Sequence, residues 1–244
     1  MHADTRGRDR PWRNLYGRRH GKKLKPNQER LLETLLPRLA VAGVSPLDNP
    51  ARAPLAPLFP DGRPLWLEVG FGGGEHMVHQ ALANPGVGIA GCEPFVNGVA
   101  MALNRIDVAG VGNVRLHAGD ARDLIELLPA GGLARVFLLY PDPWPKARHV
   151  RRRFMNPENL GLLARAMAPG AELQVATDIA DYADHARAVT AAAPDFARVA
   201  RDEAVAWEGW PGTRYEAKAL AAGRVPQYMS FERVGGRLRP SPSI

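Results

Sequence analysis

The sequence predicts a doubly wound α/β sheet, mostly parallel, with an antiparallel pair of strands closing its C-terminal end. From Leu65 onward, short apolar runs alternate with segments of helical period, one apolar run stops abruptly at a proline cluster, and the last two strand-like runs have no helical pattern between them. Before that region, Leu31, Leu32, Leu35, Leu36 and Leu39 form a helical stripe within Leu24 to Leu39 that ends near Pro37. Residues 46–64 are rich in proline and lack periodicity, as a linker should. The alternation then reads Leu65 to Val69 as a strand, Gly74 to Ala83 as a helix, Val87 to Glu93 as a strand, and Val96 to Ala109 as a helix with Val96, Val99, Ala100, Leu103 and Ile106 on one face. Val114 to Ala118 and Ala121 to Leu128 repeat the unit. Ala134 to Tyr140 is nearly continuously apolar, as a parallel strand buried on both faces should be. Asn156-Pro157-Glu158 opens a helix with a cap residue and a proline at its first position, and Pro169-Gly170 stops it. Ala171 to Thr177 is a fifth strand and Ile179 to Ala192 a helix, after which Phe196 to Ala206 and Tyr228 to Val234 read as strands joined by a Gly- and Pro-rich loop.

A chain of 244 residues fits one α/β domain. The organisation expected is a basic flexible arm over 1–30, a helix and proline-rich linker over 31–64, and the folded domain over 65–240. Formal net charge is +7, and the positive charge is concentrated: Arg6, Arg8, Arg10, Arg13, Arg18, Arg19, Lys22, Lys23 and Lys25 precede Glu29 with only Asp4 and Asp9 among them. Such an arm is either a solubilising tail or a segment that meets a polyanion. The single cysteine, Cys92, excludes an internal disulfide and a thiolate metal cluster, and points to a reducing compartment. No apolar window approaches the length of a membrane span, and the arm lacks the apolar region of a signal peptide. A cytoplasmic protein without membrane or metal partners is therefore expected, a monomer with a dimer left open.

The most distinctive string is Leu138-Leu139-Tyr140-Pro141-Asp142-Pro143-Trp144-Pro145-Lys146, followed by Arg148-His149-Val150-Arg151-Arg152-Arg153. Proline has no backbone donor and fixes its own φ, so these residues form a stiff connector at the end of a strand. A carboxylate and an indole on such a connector, beside cations, suit a planar group bound next to phosphates.

At the first strand-to-helix turn stands Leu67-Glu68-Val69-Gly70-Phe71-Gly72-Gly73-Gly74. Glycines there permit close approach of a ligand. The dinucleotide fingerprint fails, because its third glycine would fall at Glu75, and no Gly-Lys-Ser/Thr follows to make a phosphate loop. The second strand ends in Glu93, suited to the hydroxyls of a ribose, and the third in Gly119-Asp120-Ala121, where Asp120 either accepts from an adenine amine or caps the next helix. A row of carboxylates repels a pyrophosphate but suits a ligand with an amine, a sulfonium, a ribose and an adenine, which describes S-adenosylmethionine.

These residues carry a likeness. Through Leu67-Glu68-Val69-Gly70-Phe71-Gly72, Glu93, Gly119-Asp120-Ala121, Pro141-Asp142-Pro143-Trp144-Pro145-Lys146 with its Arg-rich tail, Ala176-Thr177-Asp178 and Thr213-Arg214-Tyr215-Glu216, the chain resembles the bacterial tRNA (guanine-N7)-methyltransferases that modify guanosine 46 of the variable loop. The resemblance runs from about Tyr16 to Val234 and implies a Rossmann-like class I methyltransferase fold with a seven-stranded sheet. It further implies that Glu68, Gly70, Gly72, Glu93, Asp120, Ala121 and Asp142 form the S-adenosylmethionine site, with Asp142 also the active-site residue. Lys146, Asp178, Thr213, Arg214, Tyr215 and Glu216 would then contact the substrate, and Arg148, Arg151, Arg152 and Arg153 the RNA. The chain departs from the pattern at Pro94-Phe95, where a small apolar residue and then a polar one are expected.

Guanine N7 has a lone pair and carries no proton, so it attacks a sulfonium methyl directly and needs no general base. On that chemistry Asp142 orients the guanine and offsets the charge the ring gains, with Trp144 as packing or stacking support. Asp178 either shares the guanine's donors with Glu216 or caps the helix after it. Trp207 and Trp210 read as packing residues in preference to base-stacking ones, and His76 and His79 lack a third metal ligand nearby. The alternative to an enzyme is a non-catalytic tRNA-binding scaffold of the same fold.

Overall fold

A computed structural model describes residues 15–235. The residues of the basic arm before 15, Arg6, Arg8, Arg10 and Arg13 among them, lie outside the described residues, as do those after 235.

The strands are β1 (Leu65–Val69), β2 (Gly88–Cys92), β3 (Val114–His117), β4 (Leu133–Leu139), β5 (Met167–Thr177), β6 (Phe196–Arg198) and β7 (Gln227–Arg233). They form one seven-stranded sheet in the order β3-β2-β1-β4-β5-β7-β6. The first five pair in parallel, and β7 runs antiparallel to both of its neighbours, β5 and β6. The order turns back at β1, between β2 and β4, which is where an open α/β sheet leaves a crevice beyond the carboxyl ends of its strands.

The helices are α1 (Pro26–Thr34), α2 (Leu36–Leu39), α3 (Glu75–Ala83), α4 (Val96–Ala109), α5 (Ala121–Leu127), α6 (Pro157–Ala166), α7 (Ala180–Ala191) and α8 (Arg214–Ala221). On one face of the sheet Met77 and Val78 of α3, Val99, Leu103 and Ile106 of α4 and Leu31 of α1 bury against Ile89, Val114 and Leu116. On the other face α5, α6 and α7 bury Leu124, Leu160, Leu163, Tyr182 and Ala186 against Leu67, Val136, Leu138, Leu173 and Val175. Alternation along β4 explains both sides: Val136 and Leu138 point to the second layer, while Phe137 and Leu139 join Tyr228, Trp66, Trp207 and Trp210 in a third cluster. Over β4, β5 and β7 that third cluster is roofed by the chain between β6 and α8.

Four details differ from the sequence expectation. The stripe expected as one helix breaks at Leu35 into α1 and α2, with the boundary drawn at residue 30 falling inside α1. Pro169-Gly170 lies within β5, where the register against β4 shifts: Leu133 pairs with Met167 but Arg135 with Glu172. The segment Phe196 to Ala206 yields only the three residues of β6. The loop expected before β7 contains α8, because Thr213 and Glu216 form a reciprocal capping box that satisfies both backbone donors at a helix start.

Leu173, fully buried at the middle of the sheet, reports on this core. Leu173→Ala is expected to cost about 2–5 kcal/mol in denaturant unfolding; a loss below about 1 kcal/mol would show that the β4–β5 layer is not close-packed.

Candidate functional site

The glycine turn after β1 takes its shape from backbone donors. Gly72 adopts a left-handed φ of 54°, and its N–H donates to Glu93 Oε2 at 2.7 Å. The second oxygen of Glu93 accepts from Phe95 N–H at 2.9 Å. A Cβ at Gly98, on α4, would come within 2.6 Å of the Gly72 carbonyl oxygen, so α4 packs directly on the turn. Burial pushes the Glu93 carboxyl up, against the lowering effect of its two N–H donors; the nearby Asp142 adds to the rise and Arg214 opposes it.

Beside this turn, at the carboxyl ends of β1, β2 and β4, lies a cleft of about 170 Å³. Gly70, Asp120, Ala121, Asp142 and Trp144 line it, together with Tyr16 and Asn159. Asp120 caps α5 by accepting from Arg122 N–H at 3.0 Å and also holds the Arg122 guanidinium, at 2.5 Å. The structure shows Asp120 as a helix cap that also stands in the cleft wall. Glu68 does not. It is 3 % exposed, and its carboxylate takes up His76 Nδ1 at 2.6 Å instead of opening into the cleft.

Asp142 sits on the proline connector, where two non-glycine residues, Tyr140 (φ 50°) and Trp144 (φ 43°), occupy the left-handed region. Each such residue costs of order 1–3 kcal/mol and persists only where its surroundings impose it. The Trp144 ring is flanked edge-on by Tyr16 at 6.3 Å and His149 at 5.9 Å. The Arg152 guanidinium lies over both Tyr16 and Trp144, at 4.6 and 5.0 Å. The Asp142 residue is exposed, yet partial desolvation of its carboxyl against the cleft wall raises it from its ordinary value.

The chain before α1 crosses this region. Arg19 C=O accepts from Val96 N–H and Asn97 clamps the segment through Gly21 N–H and Lys22 C=O, at 2.7 Å each. A Cβ on Gly17 would lie 3.9 Å from Asp142 Oδ2. Sequence reading missed Tyr16 because it stands alone in a basic segment, without periodicity to place it.

The residues expected to meet substrate divide. Asp178, at the end of β5, accepts from Arg224 Nε at 2.5 Å, and the cap of α7 falls to Ile179, without a side-chain bond. Glu216 is enclosed by donors: Trp210 Nε1 at 2.7 Å, Thr213 N–H at 3.1 Å and the Tyr228 hydroxyl. Burial pushes the Tyr228 phenol up to about 12. Tyr140 is also raised by burial, with Tyr228, Glu216 and Asp178 adding to it, so these side chains converge at the start of the Asp142 loop. Arg214 and Tyr215, at the start of α8, face the Gly72 turn, where a Cβ would meet Arg214 Nη2 at 3.1 Å and Tyr215 Cε2 at 3.7 Å. Trp207 and Trp210 pack with Tyr228, as expected.

Among the cations, Lys146, Arg148 and Arg151 are exposed. Arg153 corrects the expectation of an RNA contact: it is 2 % exposed, donates through Nε to Pro143 C=O at 2.8 Å, and pairs with Asp181. A guanidinium so enclosed cannot reach a phosphate, and serves as the brace of the proline connector. Among the described residues no cluster of His, Cys, Asp or Glu is arranged to hold a metal ion, and no helix is long and apolar enough to cross a membrane.

The two roles of these arginines separate experimentally. Arg153→Met is expected to lose at least about 1.5 kcal/mol of stability, the worth of a charged hydrogen bond. Arg148→Ala and Arg151→Ala are each expected to stay within about 0.5 kcal/mol of the parent. An Arg153→Met variant as stable as the parent would contradict the bracing role.

Residues 62–227 match the model of a family described as a putative methyltransferase. The chain is 56 % identical over 227 residues to a tRNA (guanine-N(7)-)-methyltransferase of Paracoccus denitrificans, covering 91 % of this chain and 96 % of that one. It is 55 % identical over 232 residues to the protein of the same name from Ruegeria pomeroyi, covering 93 % and 98 %. Among solved structures it is similar to an rRNA methylase from Streptococcus thermophilus, with a TM-score of 0.48 and 10 % identity over 71 % of this chain and 89 % of that one. With its seven-stranded sheet, its crevice beside β1 and relatives at this identity over nine-tenths of its length, the chain belongs to the tRNA (guanine-N7)-methyltransferase family.

Proposed function

We propose that the protein transfers the methyl group of S-adenosylmethionine to N7 of guanosine 46, in the variable loop of tRNA. The observation that carries the reading is the placement of Asp142: on a braced proline connector, in the wall of a cleft beyond the sheet, beside a stacked indole and exposed cations. The residues present suit the donor. Glu93, Asp120 and Asp142 stand at the ends of three strands, and such acids suit an amine, ribose hydroxyls and a positive sulfur better than a phosphate. When bound, S-adenosylmethionine supplies an electrophilic methyl on a sulfonium.

N7 brings its own lone pair and loses no proton, so none of these side chains has to act as a base. What the chain contributes is alignment, worth on the order of 7–11 kcal/mol for well-oriented reactants, and charge. Asp142 orients the guanine edge and offsets the positive charge that builds on the purine. Trp144, fixed between Tyr16 and His149, stiffens the wall on which the guanine rests. Glu216 and Asp178 already have protein partners, so they hold α8 and the end of β5 in place around the guanine, with Thr213, Arg214 and Tyr215 presented from the same helix start. Lys146, Arg148 and Arg151 contact backbone phosphates, each contributing about one unit to the slope of log affinity against log salt.

Labelled methyl transfer into unmodified tRNA tests this role. Asp142→Ala is expected to lose turnover by about 100-fold or more, in line with removal of one preorganised electrostatic group, while tRNA affinity stays within a few-fold. Full turnover in that variant would remove Asp142 from the reaction. The sign of the pH dependence follows from the partial desolvation of its carboxyl. Only the ionised form offsets the purine charge, so kcat/KM is expected to fall as pH drops through a midpoint above about 3.9, the ordinary Asp value. An acid limb at or below that value would contradict it.

A further inference from the structure

Glu68 and His76 form a buried hydrogen-bonded couple that the proposed chemistry does not use. Their side chains are 4 % and 2 % exposed, and Glu68 Oε2 lies 2.6 Å from His76 Nδ1. Glu68 is the next-to-last residue of β1 and His76 the second residue of α3, so the couple spans the glycine turn between them. The other face of the imidazole is defined as well. His76 Nε2 lies 3.1 Å from Gln80 Nε2, and Gln80 Oε1 accepts from Asn84 Nδ2 at 3.1 Å. Because the Gln80 oxygen is taken by Asn84, its amide nitrogen faces the imidazole as a donor, and His76 Nε2 accepts. The proton of a neutral ring then resides on Nδ1 and donates to Glu68. The ring itself rests on Phe137 at 4.6 Å and Trp210 at 5.2 Å, which fixes its plane.

We infer that the Glu68–His76 couple is a positioning device for the glycine turn: it locks the end of β1 to the start of α3, and His76 serves the cofactor cleft by holding Glu68 and the turn in place. This rests on the proposed use of S-adenosylmethionine. The turn needs such a lock. Between Glu68 and His76 the chain passes through left-handed Gly70, Gly72 and Gly74, the residues with the most conformational freedom to lose. The N–H of Gly72 must stay aimed at Glu93. Holding the two ends of the turn lowers what ligand binding has to order, which appears in affinity for the ligand.

Substitutions at His76 separate a lock from a packing residue. His76→Phe keeps a ring against Phe137 and Trp210 but gives Glu68 no donor. His76→Asn is smaller, yet places an amide N–H where Nδ1–H stood. Calorimetric titration of S-adenosylhomocysteine into the full-length protein is the readout, with thermal unfolding and tRNA binding measured alongside. The expected result is a Kd raised tenfold or more in His76→Phe and within about threefold of the parent in His76→Asn, with tRNA affinity unchanged within twofold in both. The double variant Glu68→Gln, His76→Phe covers misfolding, since it removes the orphaned buried carboxylate; it is expected to recover unfolding temperature but not ligand affinity. Parent-like Kd in His76→Phe, or equal losses in His76→Phe and His76→Asn, would overturn the lock. Failure of the parent protein itself to bind S-adenosylhomocysteine would instead overturn the cofactor reading on which the lock rests.

Discussion

A loop that carries Tyr140 and Trp144 in the left-handed region keeps that shape only while something imposes it, and here that is the buried guanidinium of Arg153. Three prolines between Tyr140 and Lys146 remove backbone donors, so the connector cannot brace itself by ladder hydrogen bonds. Arg153 supplies the missing link, donating to the Pro143 carbonyl and to Asp181 at the start of α7, while Tyr182 packs 5.4 Å from its guanidinium. The cost of burying the cation is met by satisfied hydrogen bonds on both sides. Everything proposed for Asp142 depends on this brace, because a carboxylate that aligns a base has to be fixed to within a fraction of an ångström.

The second organising feature is the meeting of strand ends. Glu93 accepts two backbone donors, from Gly72 and Phe95, and so ties the first glycine turn to the start of α4. Asp142 stands close enough to raise its carboxyl further, and Arg214 close enough to oppose that. Carboxylates therefore meet beside the glycine turn, while Lys146 and Arg148 lie exposed outside the cleft and Arg151 is exposed in its wall. On the proposed reading this partition sorts the ligands, the sulfonium facing the acids and the phosphates of the RNA facing the arginines.

Much of this was legible in the sequence because it follows period and punctuation. The alternation from Leu65 to Thr177 placed five parallel strands and the helices between them, and the end of each strand placed Glu93, Asp120 and Asp142. What escaped has physical reasons. Within Arg151-Arg152-Arg153 charge alone does not distinguish an exposed arginine from the buried one, since burial is decided by Pro143 and Asp181 in other parts of the chain. Thr213 to Glu216 looked like a substrate motif, yet the same four residues hold a capping-box signature, and the structure uses it to start α8. Glu68 was grouped with the other acids by its position before the glycine turn. Alternation along β1 turns its side chain away from Leu67 and Val69, which face the α5–α7 layer, and toward His76.

The claim at the centre of this account is that a guanine N7, aligned by Asp142, is the atom that receives the methyl group. Incubating the protein with S-adenosylmethionine and an unmodified tRNA transcript, followed by chain cleavage selective for N7-methylguanosine, reads that atom directly. The account predicts one new cleavage, at guanosine 46 in the variable loop. Methyl incorporation with no cleavage there, or cleavage at other guanosines instead, would contradict it.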